Sequence, residues 1–213
     1  FENENENEKE KEKEKEQLVP IPFHDTDEIA QLGMAAFLHI APPVPGSVQR
    51  HGAVLLINAR GEPMEFGYNR VELLQSALWR DVDREQALIR RLAVTLFEAI
   101  TLTPALLLCR ADVVGPHVFG ESGGLALAIP LVRLAPAQAL IGYVGSEAHQ
   151  DLEIVDEHGE CIDTRLYWTP AAPSGPAAEL FDRLVARGLL LEPFTRAQQG
   201  LREVYGDLWT EQP

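Results

Sequence analysis

The chain has 213 residues, of which 46% are hydrophobic and 24% charged, and a formal net charge of -15. That length and apolar content suffice for one well-filled core with extensions, while the negative balance excludes a protein whose whole surface binds nucleic acid or anionic membrane, since polyanions are repelled from most directions. No apolar run reaches the roughly 18 to 20 residues of a membrane span and no basic-then-apolar leader opens the chain, so a soluble, cytoplasmic protein is expected.

Cys109 and Cys161 are too few for a disulfide framework or a structural zinc site and suit a reducing compartment. All four lysines, Lys9, Lys11, Lys13 and Lys15, stand in the first 17 residues, and the rest of the chain uses arginine alone. The body therefore lacks a P-loop lysine, a kinase-type phosphate lysine, a Schiff-base lysine and the lysine of the common metal-dependent nuclease core, which removes several large enzyme classes.

In chain order, residues 1–17 repeat Asn-Glu and then Lys-Glu with no apolar residue after Phe1. Such a segment cannot offset the entropy of ordering and reads as a disordered acidic tail. Asp25 with Glu28 forms a capping box for a short helix that Gly33 stops. Met34 to Ile40 predicts a strand. Gly52 to Asn58 and Met64 to Tyr68 predict a hairpin turning at Asn58 to Gly61, its first strand apolar on both faces and central, its second nearer an edge. Val71 to Trp79 can form a helical turn or two.

The strongest periodicity lies between Asp83 and Leu102, where Leu88, Leu92, Leu96 and Ile100 recur on one helical face with Ala93 and Phe97 beside them. Pro104 ends the helix, and Ala105 to Cys109 is a continuous apolar run, as in a strand covered on both faces. Strands follow at Leu125 to Leu134, with Pro130 marking an edge or bulge, and at Leu140 to Val144. A second hairpin joins Leu152 to Asp156 and Cys161 to Trp168 across Gly159. A linker over residues 169–176 leads to helices at Ala177 to Arg187, stopped by Gly188, and at Arg196 to Tyr205. The fold expected is α+β: a mostly antiparallel sheet of two hairpins under one long amphipathic helix. Its domain would span residues 18–168, with a helical C-terminal extension over residues 177–213.

Candidate chemistry is sparse. Gly120 to Gly124 satisfies the G-x-S-x-G pattern around Ser122, but an apolar strand follows where a nucleophile elbow needs a helix. A chymotrypsin-like reading with His51 and Asp81 or Asp112 conflicts with the strong helix. The six histidines show no metal-ligand spacing, and the cluster around His158 falls on a turn. Divalent-metal nucleases of the RNase H type gather carboxylates from adjacent strands and a helix, which Asp112 with Asp81, Asp83 or Glu121 imitates, although the first strand lacks a central aspartate. Arg80, Arg84 and Arg91 recur at helical spacing and are candidate contacts for phosphate or an acidic partner, with Asp81, Asp83 and Glu85 interleaved.

These features point to a non-catalytic binding or accessory subunit of a larger assembly, with no cofactor and no metal. It would act through protein-protein contacts using Arg80, Arg84, Arg91, Trp168 and Phe194. Nucleic acid would be met only indirectly or through a local arginine patch. The alternative is a metal-dependent nuclease or hydrolase using the region from Asp112 to Ser122, with Asp112, Glu121 and Ser122 as its catalytic groups.

Overall fold

The structure is a computed structural model describing residues 31–43, 49–72, 78–116, 118–119, 127–139, 148–155, 159–169 and 172–206. Seven strands form one sheet: β1 (Met34–Ile40), β2 (Gln49–Asn58), β3 (Pro63–Glu72), β4 (Leu106–Arg110), β5 (Leu131–Pro136), β6 (Ala148–Val155) and β7 (Cys161–Thr169). Three helices cover it: α1 (Asp81–Ala99), α2 (Pro176–Ala186) and α3 (Glu192–Tyr205).

The strand order is β3-β2-β1-β4-β5-β7-β6. β1, β2 and β3 form an antiparallel meander, whereas β4 runs parallel to both β1 and β5. The β6–β7 hairpin then adds to β5 in antiparallel register. Strands with parallel neighbours are covered on both faces, and Leu106 to Cys109 of β4 are wholly inaccessible.

Side chains alternate across the sheet. Ala35 and Phe37 of β1 face α2 and α3, in a cluster with Leu55, Leu108, Trp168, Leu180, Leu184 and Leu201. Ala36 and Leu38 face α1, packed with Leu56, Leu88, Leu92, Leu96 and Leu107. The α+β expectation holds at this level. A sheet built mainly from two hairpins does not: the hairpins flank a parallel centre, because β4 and β5 pair with strands remote in sequence. Nor does one helix cover the sheet, since α2 and α3 bury Leu180, Phe181, Leu184, Phe194 and Ala197 against its other face.

The hairpin turns are as read, with Gly61 at φ 85° and Gly159 at φ 80° taking the left-handed conformation each requires. α3 starts at Glu192 rather than Arg196, because Pro193 occupies the first turn, where its missing N–H is no loss. β5 starts after Pro130 rather than at Leu125, and Val71 and Glu72 belong to β3 rather than to a helix. The strand expected at Leu140 to Val144, the helix from Asp25 and the acidic tail lie outside the described residues. Among the described residues, no helix is long and apolar enough to cross a membrane.

Candidate functional site

The parallel pair at the centre of the sheet creates a crevice. In the sheet the strand after β1, β2, lies on one side of the pair, and the strand after β4, β5, lies on the other. Where adjacent connections diverge beyond the carboxyl ends of parallel strands, no backbone fills the gap, and such crevices are where open sheets bind ligands. Here the gap is a cavity of about 360 Å³ lined by His39 and Pro42 from the β1 end, Arg110 and Asp112 from the β4 end, and Thr195 and Gln198 from α3. A smaller cavity of about 120 Å³ continues it towards Thr164, sharing Arg110, Ile162 and Leu191.

Each polar group here is set by its neighbours. Arg110 ends the apolar β4 and reaches Asp112 through two contacts, Nε to Oδ1 at 3.2 Å and Nη2 to Oδ2 at 3.3 Å. His39 shares the sheet face of Phe37, and its Nε2 has no hydrogen-bond partner among the described residues. Burial, with the Arg110 charge adding to it, pulls the imidazole down to about 4, so at neutral pH it is uncharged. The loop after β4 is held from beneath: Arg133 of β5, fully inaccessible, donates from Nη1 to the Val114 carbonyl at 3.2 Å, and its guanidinium stands 5.3 Å from the centre of the Tyr167 ring.

Among the described residues expected from sequence to carry function, only Asp112 and Phe194 line this cavity. Phe194 does so from the core, 5% exposed and edge-on to Phe37 at 5.3 Å, so it is not an exposed partner-binding residue. Trp168 is 2% exposed and packs edge-on against Phe181 at 5.0 Å; it too belongs to the core. A polar or linker neighbour in sequence says nothing about which layer a ring enters. Arg80 immediately precedes α1 and Arg84 and Arg91 lie on it, across the sheet from α3. Arg80 pairs with Asp83 at 2.6 Å and Arg84 pairs with Asp81, so these carboxylates neutralise their own helix and do not join Asp112. Arg91 is exposed on the same helix. His51 is buried edge-on to Tyr205 at 4.7 Å, which removes it from any triad. Glu121, Ser122 and His158 lie outside the described residues.

Among the described residues no three His, Cys, Asp or Glu side chains gather, and the Asp112 carboxylate in the cavity is paired with Arg110. Sequence reasoning passed over His39, Arg110, Thr195 and Gln198. The available signal was a single histidine within the otherwise apolar Met34 to Ile40, and an arginine directly after four buried residues.

No protein-family profile matches the chain, and no curated protein matches it by sequence. Solved structures do. Endonuclease V of Ciona intestinalis, in complex with a 23mer DNA containing an inosine followed by a ribo-adenosine, superposes with a TM-score of 0.51 at 11% identity, covering 81% of this chain and 85% of that one. The catalytic domain of human Endonuclease V gives 0.47 at 13% identity, over 93% and 96% of the two chains. Marinitoga piezophila Argonaute with a guide RNA gives 0.45 at 9% identity, over 83% of this chain and 30% of that one. The likeness to the Ciona protein is one of fold. It overturns the expectation of an accessory subunit acting through protein-protein contacts, because the fold is shared with an endonuclease solved on DNA and two residues assigned to partner contact are core. A larger protein partner has no support.

Proposed function

We propose that the protein binds nucleic acid at the cavity between the diverging ends of β1 and β4. The observation that carries this reading is the placement of Arg110, neutral His39, Thr195 and Gln198 around a cavity at the topological switch of a fold shared with a DNA-bound endonuclease. Arg110 supplies the phosphate-binding charge, and uncharged His39 and the polar side chains of α3 supply hydrogen bonds. The formal charge of -15 confines binding to this locality, so few phosphates are neutralised and the salt dependence is shallow.

Fluorescence anisotropy with labelled single- and double-stranded oligonucleotides at 50 mM and 200 mM salt tests it. Arg110→Gln is expected to weaken binding roughly 5- to 20-fold, the loss of one charged contact. Asp112→Asn, which frees Arg110, is expected to strengthen it. Absence of binding to every oligonucleotide at the lower salt would remove the reading.

Strand cleavage is the second reading, favoured by the carboxylate of Asp112 at the end of β4. Incubation of the same oligonucleotides with magnesium or manganese decides it. Products lost in Asp112→Asn, and in Glu121→Gln or Ser122→Ala, would assign the cut to the stretch from Asp112 to Ser122; uncut substrate would leave binding alone.

A further inference from the structure

A second feature lies along the same edge of the sheet. Leu191, just before α3, and Thr195 and Gln198 on it line the cavity, and Arg202 and Tyr205 follow Gln198 by four and seven residues on the same flank. Seven residues of helix advance about 10 Å. At the far end Tyr205 meets Tyr68 of β3 at 6.0 Å with the rings perpendicular, and His51 of β2 packs behind it at 4.7 Å. Tyr68 is 47% exposed, and Phe66 supports it from below at 5.9 Å.

Among the described residues several exposed arginines carry no ion pair, Arg91 and Arg187 as well as two on the elements that bear these rings. Arg50, Arg80, Arg84, Arg110, Arg165, Arg183 and Arg196 are each tied to a carboxylate. Arg70, which acts electrostatically on both His51 and Tyr205, is exposed and makes no ion pair among the described residues, and the same holds for Arg202. The nearby Glu72 accepts a hydrogen bond from Gln49 at 2.6 Å. An exposed ring packed against a second ring, with Arg70 close by and that guanidinium in no ion pair among the described residues, has the composition of a base-stacking platform: the ring offers its face to any base, and the cation meets a phosphate.

We propose that a single-stranded nucleic acid entering the cavity runs along α3 past Arg202 and stacks a base on Tyr68, with Tyr205 fixing the ring and Arg70 meeting the backbone. This rests on the cavity being a nucleic-acid site and names the strand state and the path. A duplex offers no free base to the platform and binds more weakly than the single strand.

The test is anisotropy of the full chain with a labelled 12-nucleotide oligothymidylate and with a chain of equal length built of abasic deoxyribose phosphates. The wild type is expected to prefer the base-bearing strand by roughly 5- to 100-fold, the range of one stacked base. Tyr68→Ala is expected to abolish that preference and leave affinity for the abasic strand unchanged, while Tyr68→Phe retains it. Tyr68 lies on an edge strand and half in solvent, and unchanged affinity for the abasic strand also shows that the variant is folded. Equal binding of the two strands by the wild type, or a preference surviving in Tyr68→Ala, overturns the stacking site and leaves the cavity reading standing. If the wild type binds neither strand nor a duplex of the same length, both proposals fall, whereas binding of the duplex alone overturns only the stacking site.

Discussion

His39 is the most informative single residue, because its protonation is coupled to folding. Its folded value of about 4 lies below the ordinary 6.5, so between those values the unfolded chain holds more protons than the folded one. Stability from this group is fully present above pH 6.5 and is lost as pH falls towards 4, by up to about 3 kcal/mol. In His39→Gln, the difference in urea midpoint between pH 7 and pH 4.5 is expected to shrink; a pH profile identical to that of the wild type would refute the buried neutral state. Arg133 makes a different demand, as a fully buried cation that holds the Val114 carbonyl. Arg133→Met fills the space and leaves that carbonyl without its donor, and the expected loss is about 1–3 kcal/mol by chemical denaturation. Neither residue announces its role in sequence. A histidine or arginine next to apolar residues reads as an ordinary strand end until the elements above and below it are known.

At the scale of elements, local pattern and structure agree where the pattern reports burial by itself. The spacing of Leu88, Leu92 and Leu96 placed α1 on a core, and the structure buries all three, with α1 running from Asp81 to Ala99. Acidic Asp81 and Asp83 in its first turn favour the positive end of the helix dipole. Beyond its last turn, the Glu65 carboxylate accepts from the Thr101 and Leu102 amides at 2.8 Å each and is held below its usual range by those bonds. The close fit of α1 to β2 depends on Gly52, where an added Cβ would stand 2.9 Å from Leu92 Cδ2 and 3.1 Å from the His39 carbonyl. Gly52→Val is therefore expected to cost about 1–3 kcal/mol, read as a lowered Tm. Gly159→Val tests the other kind of glycine: its φ of 80° strains any branched side chain although the space around it is open. A loss of about 1–2 kcal/mol there, with no change in packing, would separate backbone strain from crowding.

For the molecule as a whole, the sheet joins two covering layers into one core. Leu92 on α1 and Leu184 on α2 are both wholly inaccessible, on opposite faces. Leu92→Ala and Leu184→Ala are each expected to cost about 2–5 kcal/mol and to shift a single transition seen alike by far-ultraviolet circular dichroism and tryptophan fluorescence. Two separated transitions in Leu184→Ala would show the C-terminal helices to be an independent unit.

Sequence by itself determined the elements that carry their own periodicity. These are β1 over Met34 to Ile40, the two glycine-turned hairpins, α1, the buried β4 and α2 ending before Gly188. It also determined that the body has no lysine for phosphate or Schiff-base chemistry. Only the tertiary structure decided that β4 inserts beside β1 in parallel, that Trp168 and Phe194 enter the core, and that His39, Arg110, Asp112 and Gln198 meet in one cavity. The reason is the range of the forces read. Periodicity records how a residue's own element meets a core, whereas strand order and side-chain convergence arise from contacts between segments far apart in the chain, which leave no local trace.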